Sequence, residues 1–378
     1  MYRLLDYAAM IEDAVRTPAY LAALEQAVRP GSVVVEIGTG TGFFAIFAAR
    51  LGARRVYAIE SDSSIRLARE VAALNGCADR IEFIEALSTD VTLPEQGDVL
   101  LSDLRGVLPT LGVHIPSIVD ARARLLKPGG IQIPSEDTLW MALLESEAVA
   151  QKHLKNADPS PHGVDFAPLH RILANTWRKQ RVGADLLISA PARWAHLDYR
   201  TVIDPSVRGT ATLAASRSGV VHGLSAWFET QLLPGIGYAS EPGSDAIYGQ
   251  AYFPFPVPLS VREGDEVEVS LDGRLVGSEY VWRWSARAVG VGMPSWSCDQ
   301  SSFFGTPLGP EMLRRRASNF VPRVSAEGEI DGWILSRMDA VRDLATIARD
   351  ALQEFPEKLK TFENALTRVG DLAERYSS

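Results

Sequence analysis

Residues Val33 to Gly42 read Val-Val-Val-Glu-Ile-Gly-Thr-Gly-Thr-Gly, and no other stretch constrains the fold as tightly. A run of β-branched apolar residues suits a strand buried on both faces, as in a parallel sheet. The glycines that follow, Gly38, Gly40 and Gly42, remove side chains where a backbone must turn sharply and lie against a ligand. Phe43 to Ala49 then reads as a buried helix. The next apolar segment runs from Arg55 to Ile59 and ends at Glu60, about 20 residues past the turn, where an acid accepts hydrogen bonds from ribose hydroxyls. No Gly-Lys-Ser/Thr follows the glycines, which excludes a phosphate-cradling loop. Glu36, an acid just before the glycines, is unlike a dinucleotide site and suits a ligand that carries an amine. S-adenosylmethionine has both an amino group and a ribose.

The rest of the first third repeats strand and helix, which means a doubly wound, Rossmann-like parallel sheet. Residues 2 to 27 carry two helices, with Thr17-Pro18 read as N-cap and first turn of the second. Arg16 between them is either a solvated surface arginine or a clamp on a ligand carboxylate. Ser61 to Asn75 is a helix stopped at Asn75-Gly76, and Ile81 to Ile84 a strand. The loop from Glu85 to Asp90 brings Ser88, Thr89 and Asp90 to the rim for an adenine edge. Asp98 to Ser102 is a strand that delivers Asp103 to the same rim, where open α/β sheets bind ligands. Ser117 to Leu126 is a helix, Lys127 to Gly130 a turn, and Ile131 to Ile133 a strand.

From residue 135 alternation replaces the helical pattern, which predicts a β-barrel or sandwich to about residue 305. Residues 148 to 180 form an insertion with short helical stretches. Glu266 to Leu271 alternates, and Asp272-Gly273 reads as the hairpin turn behind it. Tyr280, Trp282, Trp284 and Ala286 share one strand face and read as core. The last stretch holds the basic triplet Arg314 to Arg316, a short strand at Phe320 to Val324, and helices over 330–338, 344–355 (capped by Asp343, stopped by Pro356) and 362–376. That order suggests a winged-helix-like module. The triplet reads as a solvated linker rather than a nucleic-acid contact. The expected domains are 1–134, 135–305 and 306–378.

The net charge of −9 argues against a polyphosphate partner held by bulk charge. Cys77 and Cys298 have no metal-type spacing and imply a reducing compartment. No signal peptide is recognisable at Met1 to Tyr7, and no apolar run reaches the ~18 residues of a membrane span. A cytoplasmic protein without membrane or nucleic-acid partners is expected, with no metal.

Several stretches together resemble the protein arginine methyltransferase family, which uses S-adenosyl-L-methionine. Met10 to Thr17 resembles its N-terminal helix, so Arg16 is implied to hold the methionine carboxylate, with Tyr7 as a further cofactor contact. Glu36 to Gly42 matches the cofactor loop, and Ala53 to Glu60 the ribose strand. Ser102 to Gly130 aligns with the active-site segment, Gly163 to Phe166 with part of the dimerisation arm, and the β-rich part with the substrate-side barrel, so a homodimer is implied. The acceptor half departs from the pattern. Of the family's two glutamates that hold a guanidinium, the first is Asp103 here and the second Gly112. The threonine-histidine-tryptophan loop corresponds to Ala246-Ile247-Tyr248. This implies a methyltransferase with another acceptor, with Asp103 orienting an amine or accepting its proton, and His114 as a candidate base. Arg323 to Tyr376 resembles the PqqD-like domains, or RiPP recognition elements, which bind the leaders of ribosomally made, modified peptides by strand addition. The matching pieces include Ile330 to Leu335, Met338-Asp339, Leu344 to Ala348 and Phe355-Pro356. The expected function is therefore N-methylation of a precursor peptide recruited by its leader, such as a daptide-type terminal amine. The alternative is a small-molecule N- or O-methyltransferase of secondary metabolism. A third class is a DNA-binding regulator that senses S-adenosylmethionine, against which the acidic charge counts.

Overall fold

The computed structural model describes residues 3–154, 160–289 and 295–377. Residue 2, where the first helical stretch is expected to begin, and residues 155–159 of the insertion lie outside the described residues. The chain forms two compact units, Met1–Pro307 and Leu308–Ser378.

The first unit opens with helices α1 (Leu4–Glu12) and α2 (Arg16–Ala27). The cap of α2 is not Thr17. The N-cap is Val15, the helix starts two residues earlier, at Arg16, and the Asp13 carboxylate accepts from the amides of Val15 and Arg16, both at 2.7 Å. Strand β1 (Val33–Ile37) is buried at every position and runs into the glycine turn. Gly38, Gly40 and Gly42 all have positive φ, at 74°, 55° and 79°. Helix α3 (Phe43–Arg50) follows, then β2 (Arg55–Glu60), α4 (Ser64–Leu74), β3 (Ile81–Glu85), β4 (Gly97–Ser102), α5 (His114–Arg124) and β5 (Leu126–Ile133). The five strands form a parallel sheet in the order β3-β2-β1-β4-β5. The strand order reverses beside β1, which places the ligand crevice at its carboxyl end. The turn expected at Lys127 to Gly130 is instead a bulge within β5, whose pairing with β4 shifts register between Gly97 and Val99.

The chain then builds two antiparallel sheets. Strand β6 (Glu136–Leu144) leads through α6 (Glu147–Leu154) and α7 (Ala167–Leu173) to β7 (Arg178–Gln180), β8 (Ala192–Asp198), β9 (Val207–Ala214), β10 (Gly219–Leu233), β11 (Ile236–Ala239), β12 (Gln250–Val261), β13 (Glu266–Val276), β14 (Glu279–Val289) and β15 (Ser297–Ser301). One sheet has the order β7-β12-β10-β6-β8, with β11 on β10, and the other β15-β14-β13-β9. Among the described residues no ladder joins them into a closed barrel. They share a core in which Trp282 meets Trp177, Trp194 and Phe253, so the aromatic stripe of β14 is packing. Asp272-Gly273 is not the hairpin turn. Gly273 lies inside β13, opposite Trp282, and a Cβ there would meet that indole at 3.1 Å. The chain reverses four residues later, at Gly277, where φ is 65°. One continuous apolar core runs from the parallel sheet into the antiparallel ones.

The second unit holds α8 (Pro310–Arg316), α9 (Ala326–Leu335), α10 (Leu344–Glu354) and α11 (Phe362–Tyr376). Ile330, Ile334, Ile347, Ala351, Leu359 and Val369 make its own core. The last three helices start at side-chain caps: Ser325 to the Gly328 amide, Asp343 to Thr346 and Thr361 to Asn364. Arg368 ties α11 to α9 through Glu327 at 2.6 Å and Asp331 at 2.8 Å. The basic triplet forms the last turn of α8, where cations suit the helix dipole. The strand expected at Phe320 to Val324 does not form, and no strand occurs among the described residues of this unit. Pro322 has no amide proton for a ladder, and Val321 and Val324 are exposed, at 87% and 63%. The wing of a winged-helix module is therefore missing. Among the described residues no helix is long and apolar enough to cross a membrane.

Candidate active site

A cavity of about 430 Å³ opens at the carboxyl end of β1. Its floor is the glycine turn, held on the end of β2 by bonds from the Gly38 and Thr39 amides to the Ile59 carbonyl. Gly38 and Gly40 leave the backbone bare there. A Cβ on Gly38 would meet Leu104 at 2.2 Å, and one on Gly40 would meet the Tyr7 ring at 2.5 Å. Tyr7, Met10 and Ile11 of α1 form one wall. Glu60 stands at the far side. One carboxylate oxygen accepts from the Gly40 amide at 2.9 Å, the other from Asp62 at 3.0 Å. Each keeps lone pairs for a further donor.

Glu36 is 4% exposed, with the Thr39 hydroxyl bonded to it at 2.7 Å. Burial, only partly offset by that bond, raises its pKa to about 8. The carboxyl is therefore mostly neutral at pH 7 and ready to ionise against an arriving ammonium group. Bare glycine backbone, a buried ionisable acid and a rim carboxylate fit the loop-and-ribose side of S-adenosylmethionine. A smaller adjoining cavity of about 220 Å³ shares Gly38, Glu60, Ser61, Leu104 and Leu111 with the first. Ser88 and His114 line it, and Thr89 lines neither. Thr89 instead bonds Asp90 at 3.2 Å.

The opposite wall is a dense ionic cluster. Arg16 is no solvated arginine: it is 6% exposed, and its Nε donates to Asp103 Oδ2 at 2.5 Å. Its Nη1 donates to the Met10 carbonyl at 3.1 Å. The guanidinium lies over the Tyr20 and Phe44 rings, 5.2 and 5.0 Å from their centroids. Burial works against this cation, and Asp103 beside it more than compensates, holding its pKa above the usual value. Tyr248 Oη also donates to Asp103 Oδ2, at 2.6 Å. The Ala246-Ile247-Tyr248 loop reaches this point because the Ile247 amide bonds the second Asp13 oxygen at 2.6 Å. Asp13 therefore ties the start of α2 to the loop.

Behind Asp103 lies Arg105, 2% exposed. Its Nε is 3.3 Å from Asp103 Oδ1, and its Nη1 is 3.0 Å from Asp137 Oδ1. Its Nη2 donates to Tyr20 Oη at 3.3 Å. Burial alone would raise the Asp103 pKa, yet Arg16 and Arg105 hold it below the usual carboxylate value. Tyr199 Oη donates to Asp137 at 2.6 Å and sits 3.3 Å from His114 Nε2. With the Tyr199 proton spent on Asp137, its oxygen accepts from His114, so Nδ1 is the bare ring nitrogen and has no partner. Burial, then Arg105, lowers the His114 pKa to about 3. An imidazole this weak is a poor proton acceptor, and the geometry gives it a packing and hydrogen-bonding place instead of the base role expected from sequence. The position of the family's second acid, Gly112, has φ 49°, and a Cβ there would meet the Ser278 carbonyl oxygen at 3.8 Å.

Arg105, Asp137 and Tyr199 were not legible as site residues from sequence. One signal existed. Asp137 shares the period-two register of Leu139, Met141 and Leu143 on β6, all fully buried, so alternation aims an acid inward. Among the described residues no group of acids, histidines or cysteines could hold a metal ion.

Comparison with known proteins agrees with this geometry. The family model for ribosomal protein L11 methyltransferase (PrmA) matches residues 16–136. Protein arginine N-methyltransferase 6 of Xenopus laevis is 30% identical over 237 residues, covering 60% of this chain and 69% of the relative. Protein arginine N-methyltransferase 10 of Arabidopsis thaliana is 27% identical over 301 residues, covering 69% and 78%. Among solved structures, the Trypanosoma brucei protein arginine methyltransferase 1 enzyme–prozyme heterotetrameric complex with AdoHcy superposes with a TM-score of 0.71 at 22% identity, over 79% of this chain and 98% of that one. The structure of Arabidopsis thaliana protein arginine methyltransferase 10 gives 0.70 at 24% identity, over 79% and 97%.

Proposed function

This chain belongs to the protein arginine N-methyltransferase family, and from that premise we propose that it methylates an amine nitrogen of a ribosomally made peptide, such as a peptide terminus, and not an arginine side chain. It is an S-adenosylmethionine-dependent methyltransferase. When bound, the cofactor supplies an electrophilic methyl group on its sulfonium. The proposed roles are Arg16 on the cofactor carboxylate, Glu36 on its ammonium, Glu60 on the ribose, Tyr7, Gly38 and Gly40 along its length, and Ser88 at the adenine rim. Thr89 has no place in this assignment. Asp103 orients the acceptor nitrogen through its N–H; the N–C bond forms as the S–C bond breaks, and the resulting ammonium passes its proton to water as the product leaves. Displacement at a sulfonium carbon needs close approach and a free nitrogen lone pair more than strong acid–base help.

The observation that carries this reading is the asymmetry of the site. Tyr7, Arg16, Glu36, Gly38, Gly40 and Glu60, proposed for the cofactor, all line one cavity. The acceptor wall offers the carboxylate of Asp103 alone, with Gly112 bare. A guanidinium is cationic at any physiological pH and relies on paired acids for orientation and charge. The unit 308–378 is proposed to recruit the precursor through its leader. With no strand among its described residues, it would present a helical face and not a sheet edge. A homodimer is also proposed. Val164, Phe166 and Leu169 of the arm segment are exposed, and an apolar hollow between α1, α3 and α4 is lined by Leu4, Ala8, Ile46, Phe47, Leu67 and Val71.

The test is transfer of labelled methyl groups to the precursor peptides encoded beside the gene, using the full chain and residues 1–307, with mass-spectrometric mapping. An N-methylated amine, made faster by the full chain, is expected. Methylation of arginine in a glycine- and arginine-rich peptide would refute the acceptor assignment. Transfer to small amines or hydroxyls with every peptide untouched would favour the small-molecule alternative.

A further inference from the structure

Arg105 has no part in the roles assigned so far, yet it is among the most buried cations of the chain. Its guanidinium touches two carboxylates, Asp103 at 3.3 Å and Asp137 at 3.0 Å, and lies 5.1 Å from the Phe228 ring centroid. Placing a cation out of water is costly unless it is paired, so this arrangement has a purpose or a strong packing reason. The contact with Asp103 is electrostatic and not a shaped hydrogen bond, because neither Asp103 Oδ1 nor Arg105 Nε has a hydrogen-bond partner. Arg16 holds the other oxygen of Asp103. The one carboxylate at the acceptor wall is thus flanked by two permanent cations.

The charge count decides what the site can accept. In the cofactor-free cluster Arg16 and Arg105 balance Asp103 and Asp137, and Arg105 is the cation that no proposed cofactor group engages. An incoming guanidinium would be a third cation beside two, in a place with little water to screen it. A neutral amine meets no such penalty, and Asp103 still presents an acceptor oxygen to its N–H.

We propose that Arg105 is a positioning residue that sets acceptor specificity: held between Asp103 and Asp137, its guanidinium takes the place of a substrate cation, so the site admits an uncharged nitrogen and turns away a guanidinium. This rests on the methyl-transfer reading of the cleft and deepens it by naming the charge state of the acceptor. Arg105 acts through Asp103 and does not line the cavity itself.

The experiment uses two adducts of the cofactor in which nitrogen replaces sulfur and carries either a 3-ureidopropyl or a 3-guanidinopropyl arm. The arms have the same shape and differ in charge. Binding to the full-length protein is measured by calorimetry, with S-adenosylhomocysteine as reference. The native protein is expected to prefer the ureido arm by about tenfold or more. Arg105→Met should narrow or reverse that preference. The pair Arg105→Met with Asp137→Asn guards against misfolding from a stranded Asp137 charge and should also narrow it. Arg105→Lys should keep it. A merely structural role would weaken both adducts alike and leave their ratio unmoved. Equal or tighter binding of the guanidino arm by the native protein would overturn the proposal, as would an unchanged ratio in the folded variants. Failure of S-adenosylhomocysteine itself to bind would overturn the cofactor reading and this assignment together, whereas binding of that ligand without arm discrimination sinks the assignment alone.

Discussion

The two walls of the cleft are built in opposite ways. The wall proposed for the cofactor comes from one continuous stretch, Glu36 to Gly42, with Glu60 one strand away. Much of its shape is backbone, fixed by positive φ at three glycines. The acceptor wall is made of side chains from distant segments: Asp13 and Arg16, Asp103 and Arg105, Asp137, Tyr199 and Tyr248. A backbone-built wall tolerates little change and keeps its ligand. A wall built of paired charges can be rewired by exchanging a few side chains, and that is where this chain differs from the pattern its family resemblance implies.

Four changes probe this contrast. The largest effect is expected at the acceptor wall. Asp103→Asn should lower methyl transfer by about 10²- to 10³-fold, while affinity for S-adenosylhomocysteine stays within about threefold. Steady-state rates and calorimetry separate the two, and unchanged turnover would remove Asp103 from acceptor chemistry. At the cofactor wall the reverse is expected. Gly40→Val places a β-branched residue at φ 55° with its Cβ 2.5 Å from the Tyr7 ring, and should weaken S-adenosylhomocysteine by about 100-fold or more. Normal affinity in this variant would show that the turn is not the cofactor floor.

Glu36 gives a smaller, pH-dependent effect. Burial raises its folded pKa to about 8, so the cofactor-free protein holds a proton there at pH 7. Pairing with the ligand ammonium favours the ionised acid, so binding releases that proton. Affinity should therefore rise as pH increases from 6, by at most about tenfold per unit, and level off above about 8. Stability of the cofactor-free protein has the opposite sign: the contribution of neutral Glu36 is present at low pH and lost as pH climbs through about 8. Glu36→Gln should flatten both profiles, and a slope that survives it would point to another group. The smallest effect is expected in the second unit. Asp343→Ala removes the cap of α10 and should cost about 1 kcal/mol in thermal unfolding of that unit, with cofactor affinity untouched. A loss of cofactor affinity here would contradict the separation of the two units.

The sequence by itself determined the parallel sheet, the glycine turn, the place of Glu60 at the end of β2 and the capped helix behind Asp343. These depend on contacts close along the chain, or on φ values that glycine adopts freely, so residue type and spacing suffice. The hairpin shows the limit. Asp272-Gly273 has the composition of a turn, but Trp282 needs bare backbone opposite it, and the bend moved to Gly277. The strand at Phe320 to Val324 failed for a similar reason, since β-propensity without a partner edge makes no ladder. Only the tertiary structure decided the acceptor wall. Arg16, Arg105, Asp103 and Asp137 are ordinary charged residues along the chain, and His114 reads as a base until its ring is found buried against Tyr199. Their protonation and pairing follow from burial and from neighbours up to 232 positions away in sequence, as Arg16 and Tyr248 are. Electrostatic energy depends on distance in space and on the water that remains, and neither is written in the order of residues.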